Sequence, residues 1–243
     1  MSTVPLSRRL LAEVVGSGLL AAVVVGSGIA AQRLSPGDVG LQLAENAAVT
    51  AAGLFAIILM VGPVSGAHLN PVVSFVDTAF GGMPWRTAAA YLPAQVLGCV
   101  AGTLLANAMF ARATVSISTE HRMTGPHFLA EVVATAGLTL VIFTLARTGR
   151  GALAPAAVGA YVGAAYFFTS STSFANPAIT VGRIFSDSFA GIAPASAPGY
   201  VLAQVLGGAV GFALVRLLHP DLTGQAASPA VVPVDAQRTG SRP

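Results

Sequence analysis

Two short apolar pieces that begin with Asn-Pro, each following a membrane-length apolar run, constrain this chain more than any other feature. Reading for apolar length gives runs near 10–32, 44–63, 85–110, 126–146, 152–172 and 197–219. Each is long enough to cross a bilayer as a helix of about 20 residues. The pieces near 70–80 and 176–186 are too short to cross alone. Asn is a strong N-cap and Pro suits the first helical turn, so both read as half-helices that start inside the membrane. Irregular backbone facing lipid would leave polar groups unsatisfied, so these segments must line a protein-enclosed cavity. Composition agrees: 9% of residues are charged, against about 25% in soluble domains, and mean hydropathy is +0.76. The expected fold class is an all-α membrane protein with six transmembrane helices and two re-entrant half-helices. It forms a single domain over residues 1–219, and residues 220–243 read as a disordered cytoplasmic tail.

Several function classes drop out. The net charge is +3 and the twelve basic residues, all Arg, are scattered, which gives nucleic-acid binding no support. The single cysteine, Cys99, excludes a disulfide framework or a cysteine-rich metal site. No nucleophile, base and orienting group recur together, so neither an enzyme nor a cofactor is expected. The apolar stretch Leu10 to Ala31 is too long for the core of a secretory signal and contains Glu13, so it is expected to be a retained first span.

The two halves repeat, over about 8–110 and 126–219. Leu11-Ala12-Glu13-Val14-Val15 returns as Leu129-Ala130-Glu131-Val132-Val133. Ala94-Gln95-Val96-Leu97-Gly98 returns as Ala203-Gln204-Val205-Leu206-Gly207, and Asn70-Pro71-Val72 returns as Asn176-Pro177-Ala178. Three spans per half is an odd number, so the second half enters from the opposite side and the repeat is inverted. With both termini inside, eight arginines fall on the cytoplasmic side and Arg33, Arg112 and Arg122 outside, as the positive-inside tendency asks. Glu13 and Glu131 are matched ionisable residues inside the membrane, which are costly and usually functional, often pairing with backbone groups, with an ion relay as the rival reading. The glycine pairs Gly98/Gly102 and Gly207/Gly211 have the small-xxx-small spacing of closely packed helices.

Ser65-Gly66-Ala67-His68-Leu69-Asn70-Pro71-Val72 and Phe174-Ala175-Asn176-Pro177-Ala178, in this inverted six-span frame, resemble the aquaporin (major intrinsic protein) family from about residue 8 to 219. The resemblance implies a passive channel for water and small uncharged solutes, assembled as a homotetramer in the inner (plasma) membrane. The pore boxes would be Asn70, Pro71, Val72, Asn176, Pro177 and Ala178, with Val72 standing where the family usually has Ala and adjusting the packing where the boxes meet. Glu13 and Glu131 would brace the re-entrant loops, and the backbone of Gly66, Ala67 and His68 would line the inner pore.

One departure bears on the solute. Most aquaporins carry an arginine immediately after the second box, where this chain has Ile179. Spacing from the boxes maps the outer constriction onto Thr50, Ala164, Ser173 and Ile179, a set with neither ring nor charge. Such a filter implies a wide pore of the aquaglyceroporin kind, for glycerol or for arsenite and methylated arsenic acids. The arsenic solutes follow from a likeness to a bacterial subgroup in Thr172–Ala178 and Ser186–Ile192. A water-selective pore and an inverted-repeat secondary transporter are the alternatives. Arg183 is expected to pair with Asp187 at i+4, the other option being that it reaches back to the vestibule.

Overall fold

A computed structural model describes residues 4–220; the tail expected beyond, Pro220 apart, lies outside the described residues. The described residues form eight α-helices: α1 (Leu6–Leu34), α2 (Val39–Ser65), α3 (Pro71–Ala79), α4 (Trp85–Met109), α5 (Gly125–Arg147), α6 (Ala154–Phe168), α7 (Pro177–Gly182) and α8 (Ala197–Leu218). Six stretches are long and apolar enough to cross a membrane, and α3 and α7 are the short ones. The chain is an integral, multi-pass membrane protein. Each half contributes three long helices and one half-helix, in the same order.

The first two helices begin earlier than the apolar runs suggest, at Leu6 and Val39, and two boundaries next to the second half-helix also differ from expectation. The fifth run, expected to reach residue 172, leaves the helix at Phe168. Beyond it Thr172, Ser173 and Ala175 take left-handed φ angles of 61°, 51° and 49°, which no α-helix accommodates. The second half-helix, expected to reach residue 186, stops at Gly182 and tightens into a 3-10 turn over Arg183–Phe185. Ser186 then turns extended, with φ −135° and ψ 112°.

The long helices cross in matched pairs, α1 on α4 and α5 on α8. A β-carbon at Gly102 of α4 would collide with the Gly18 carbonyl of α1, and one at Gly207 of α8 would meet the Val132 carbonyl of α5. Without a hydrophobic force between helices in lipid, such backbone-to-backbone approach is what packing rests on. Leu11, Leu97, Leu129 and Leu202 stay exposed around the outside, as an apolar belt requires. The half-helices enter between these pairs from opposite ends, and their first residues meet at the centre.

Candidate functional site

The re-entrant loops are held by the two buried glutamates, with the same geometry in each half. Glu13 accepts from Ser65 Oγ (2.6 Å), His68 N (3.0 Å), Leu69 N (2.8 Å) and Gln95 Nε2 (2.7 Å). Glu131 accepts from Ser171 Oγ (2.6 Å), Phe174 N (2.9 Å), Ala175 N (2.9 Å) and Gln204 Nε2 (2.7 Å). The glutamines extend each network, Gln95 to Ser74 Oγ and Gln204 to Thr180 Oγ1. Ala67, Leu69, Ser173 and Ala175 all sit at positive φ, a conformation that non-glycine residues keep only when their surroundings fix it. The carboxylates supply that fixing.

Asn70 caps α3 by accepting from Val72 N (2.9 Å), and Asn176 caps α7 by accepting from Ala178 N (2.9 Å) and Ile179 N (3.3 Å). Each side-chain amide also donates across the pseudo-two-fold: Asn70 Nδ2 to the Ala175 carbonyl and Asn176 Nδ2 to the Leu69 carbonyl, both at 2.7 Å. One N–H of each amide therefore ties the loops together. The other N–H has no partner among the described residues, and both asparagines line the central cavity. Pro71 and Pro177 hold the first helical positions. Val72 faces α8, where its side chain occupies the space that a β-carbon on Gly208 would need. The Val-for-Ala exchange is thus taken up at α8, away from the junction of the boxes.

The cavity runs past these residues and encloses about 650 Å³ of empty space, its open ends included. Its walls are mostly aliphatic, with Leu20, Leu54, Ile58, Leu138, Ile142 and Val158 among them. Ala67 and His68 line it at the loop, whereas Gly66 serves as the left-handed cap of α2 (φ 87°) and does not. The carbonyls of Gly66, Ala67 and His68, and those of Ser173 and Phe174 in the other loop, accept no hydrogen bond from the described residues. The His68 ring is occupied, with Nδ1 3.0 Å from Ser74 Oγ and Nε2 3.7 Å from Asp77.

Three of the four residues mapped to the outer constriction, Thr50, Ser173 and Ile179, line the cavity. Ala164 does not: it is exposed on the far side of α6. The inward face of α6 is Val158, Val162 and Tyr166, four residues apart, and Tyr166 hydroxyl lies 3.2 Å from Thr50 Oγ1. Counting back from Asn176 misplaced the position because α6 ends at Phe168 and the linking loop turns through left-handed residues. The i, i+4 stripe was the available signal. A ring therefore enters the set, and a second, Phe174, joins it.

The charge expectation also changes. Arg183 does not pair with Asp187, whose carboxylate instead accepts from Thr119 N (2.9 Å) and Thr119 Oγ1 (3.0 Å). The helix breaks between the two residues, so the i, i+4 premise fails. Arg183 lines the cavity, 2% exposed, with its guanidinium 3.3 Å from the centre of the Phe174 ring and Nε donating to the Ala190 carbonyl.

Residues 1–175 match the family described as Major intrinsic protein. The chain belongs to this family. It is 46% identical to "Aquaglyceroporin AqpS" of Rhizobium meliloti, over 90% of this chain and 94% of that one. It is 30% identical to the "Glycerol uptake facilitator protein" of Pseudomonas aeruginosa, over 90% and 91%. The solved aquaglyceroporin of Plasmodium falciparum superposes with a TM-score of 0.64 at 21% identity, covering 89% of this chain and 96% of that one, which shows the shared fold. Members of the family are passive channels, and this chain is not an enzyme.

Proposed function

We propose that the protein is a passive channel for water and for neutral solutes of glycerol size. The observation that carries this reading is the pair of asparagine amides, each with one free N–H facing the same apolar-walled cavity. A solute entering it must shed water, and the lost hydrogen bonds have to be replaced by the wall. Here the replacements form a single file: acceptor carbonyls of Ala67 and His68, the two amide donors, then acceptor carbonyls of Ser173 and Phe174. A hydroxyl can donate to the carbonyls and accept from the amides, so water and polyols suit the track. A molecule that accepts from both asparagines turns its protons outward on either side, which interrupts any proton relay. The positive N-terminal end of α3 adds a barrier to cations at mid-cavity.

The two named relatives support glycerol-sized cargo over a strict water pore. We place the chain in the cell membrane with both termini on the cytoplasmic side, from the distribution of its arginines, and as a homotetramer, from the family. The pore boxes act as the central donor station, with Thr50, Tyr166, Ser173 and Ile179 as the outer constriction. Glu13 and Glu131 serve as braces, since each carboxylate accepts from two backbone N–H groups, a serine and a glutamine. Light scattering on proteoliposomes tests the reading with glycerol, urea and arsenite as solutes. Faster entry of glycerol than into empty vesicles is expected. If none of the three crosses faster than through lipid, the reading is wrong.

A further inference from the structure

Among the described residues Arg183 is the one cationic side chain lining the cavity, and its donors are only partly used. Nε–H goes to the Ala190 carbonyl, and the ring of Phe174 covers one face of the guanidinium. The two terminal amino groups carry four further N–H donors, and these have no hydrogen-bond partner among the described residues. Among the described residues no carboxylate lies within ion-pair distance, and Asp187, four residues on, is committed to Thr119. Arg122 also approaches Phe174, 5.7 Å from its centre, but its own Nε and Nη2 are taken by the Gly191 and Phe189 carbonyls. The terminal donors of Arg183 therefore border the cavity without a protein acceptor among the described residues, and a solute that supplies oxygen can take them.

The way the chain brings it there is visible. Arg183 follows Gly182, where the half-helix tightens into the 3-10 turn. A β-carbon at Gly182 would press on the Cys99 backbone of α4, at 2.8 Å, so the half-helix lies hard against α4 at this point. In the repeat, Arg183 stands where the first half has Asp77, which is 3.7 Å from His68, itself the counterpart of Phe174. The duplicated frame thus holds the same position twice, filled by an acid in one half and by a base in the other, and of the two only Arg183 lines the cavity.

We propose that Arg183 is the specificity-determining donor of the outer constriction, standing one helical turn beyond the apolar Ile179. Its planar fork favours neutral solutes that present two oxygen acceptors side by side, and its fixed charge turns cations away. This rests on the channel reading above and names the residue that sets its selectivity.

The test uses the full-length protein in proteoliposomes, comparing wild type with Arg183→Leu, Arg183→Gln and Arg183→Lys, each checked for helicity and monodispersity. Glycerol flux, water flux and potassium leak are read from each preparation. The loss of a charged hydrogen-bond donor is expected to lower the glycerol-to-water flux ratio about tenfold in the Leu and Gln variants, with potassium leak rising. Arg183→Lys keeps cations out but does not restore the ratio, because an ammonium lacks the paired donors. If Arg183 were only a steric plug, the smaller Leu would widen the pore and the ratio would rise. A rise, or an unchanged ratio with unchanged leak, overturns the proposal. Should Arg183→Leu not fold, the Gln and Lys variants carry the same comparison. Should wild type pass no glycerol, the channel reading for polyols falls, while the potassium leak still reports on Arg183.

Discussion

Replacing Glu13 by Gln changes one oxygen into an NH2 group and leaves size and shape almost untouched. Oε1 of Glu13 accepts from Ser65 Oγ and His68 N, and Oε2 from Leu69 N and Gln95 Nε2. Whichever way the new amide turns, its NH2 faces two donors, one of them a backbone N–H that has no alternative partner. A buried donor left unsatisfied costs about 1–3 kcal/mol, so the exchange removes roughly 2–6 kcal/mol. The loss falls on the loop that holds Ala67 and Leu69 at φ 50° and 53°. We expect the melting temperature in detergent, followed by the fluorescence of Trp85, to fall by at least about 5 °C. In vesicles, water and glycerol fluxes fall together, since the loop carries the carbonyls and Asn70. Glu131→Gln does the same through Ser171, Phe174, Ala175 and Gln204. An unchanged melting temperature with wild-type flux in both variants would refute the bracing argument.

Three further outcomes are expected. Asn176→Ala removes both the cap of α7 and the donor to the Leu69 carbonyl, so stopped-flow water flux should drop while proton leak, read with a pH-sensitive dye, rises. Gly102→Val drives a side chain into the Gly18 carbonyl across the α1–α4 crossing, and size-exclusion chromatography should show aggregated or unfolded protein, whereas Gly125→Ala, in open space, should be mild. Ile179→Arg places a second guanidinium one turn from Arg183, and should cut glycerol flux more than water flux in the same vesicles; equal loss of both would contradict the placement of Ile179 at the constriction.

The architecture could be read from the sequence because lipid allows so few solutions: apolar length, the Asn-Pro starts and the inverted repeat leave little else. Matched residues such as Glu13 and Glu131 were legible as a pair because duplication repeats a structural need. What the sequence hid lay where the backbone leaves regular periodicity. Left-handed residues after Phe168 spoiled the count that pointed to Ala164 in place of Tyr166. The 3-10 turn after Gly182 separated Arg183 from Asp187 and swung the arginine to the cavity. The expected filter is free of rings and charge, whereas the cavity is lined by Tyr166, Phe174 and Arg183. Val72 needed Gly208, a partner 136 positions on, to show where its extra bulk goes.

The central claim is that neutral solutes pass without coupling, and one measurement addresses it most directly: the initial rate of glycerol entry into proteoliposomes across a wide concentration range, with and without an imposed proton gradient. The account predicts a rate linear in concentration, indifferent to the gradient and well above that of protein-free vesicles. A rate that saturates at low glycerol and follows the gradient would instead make the protein a coupled transporter.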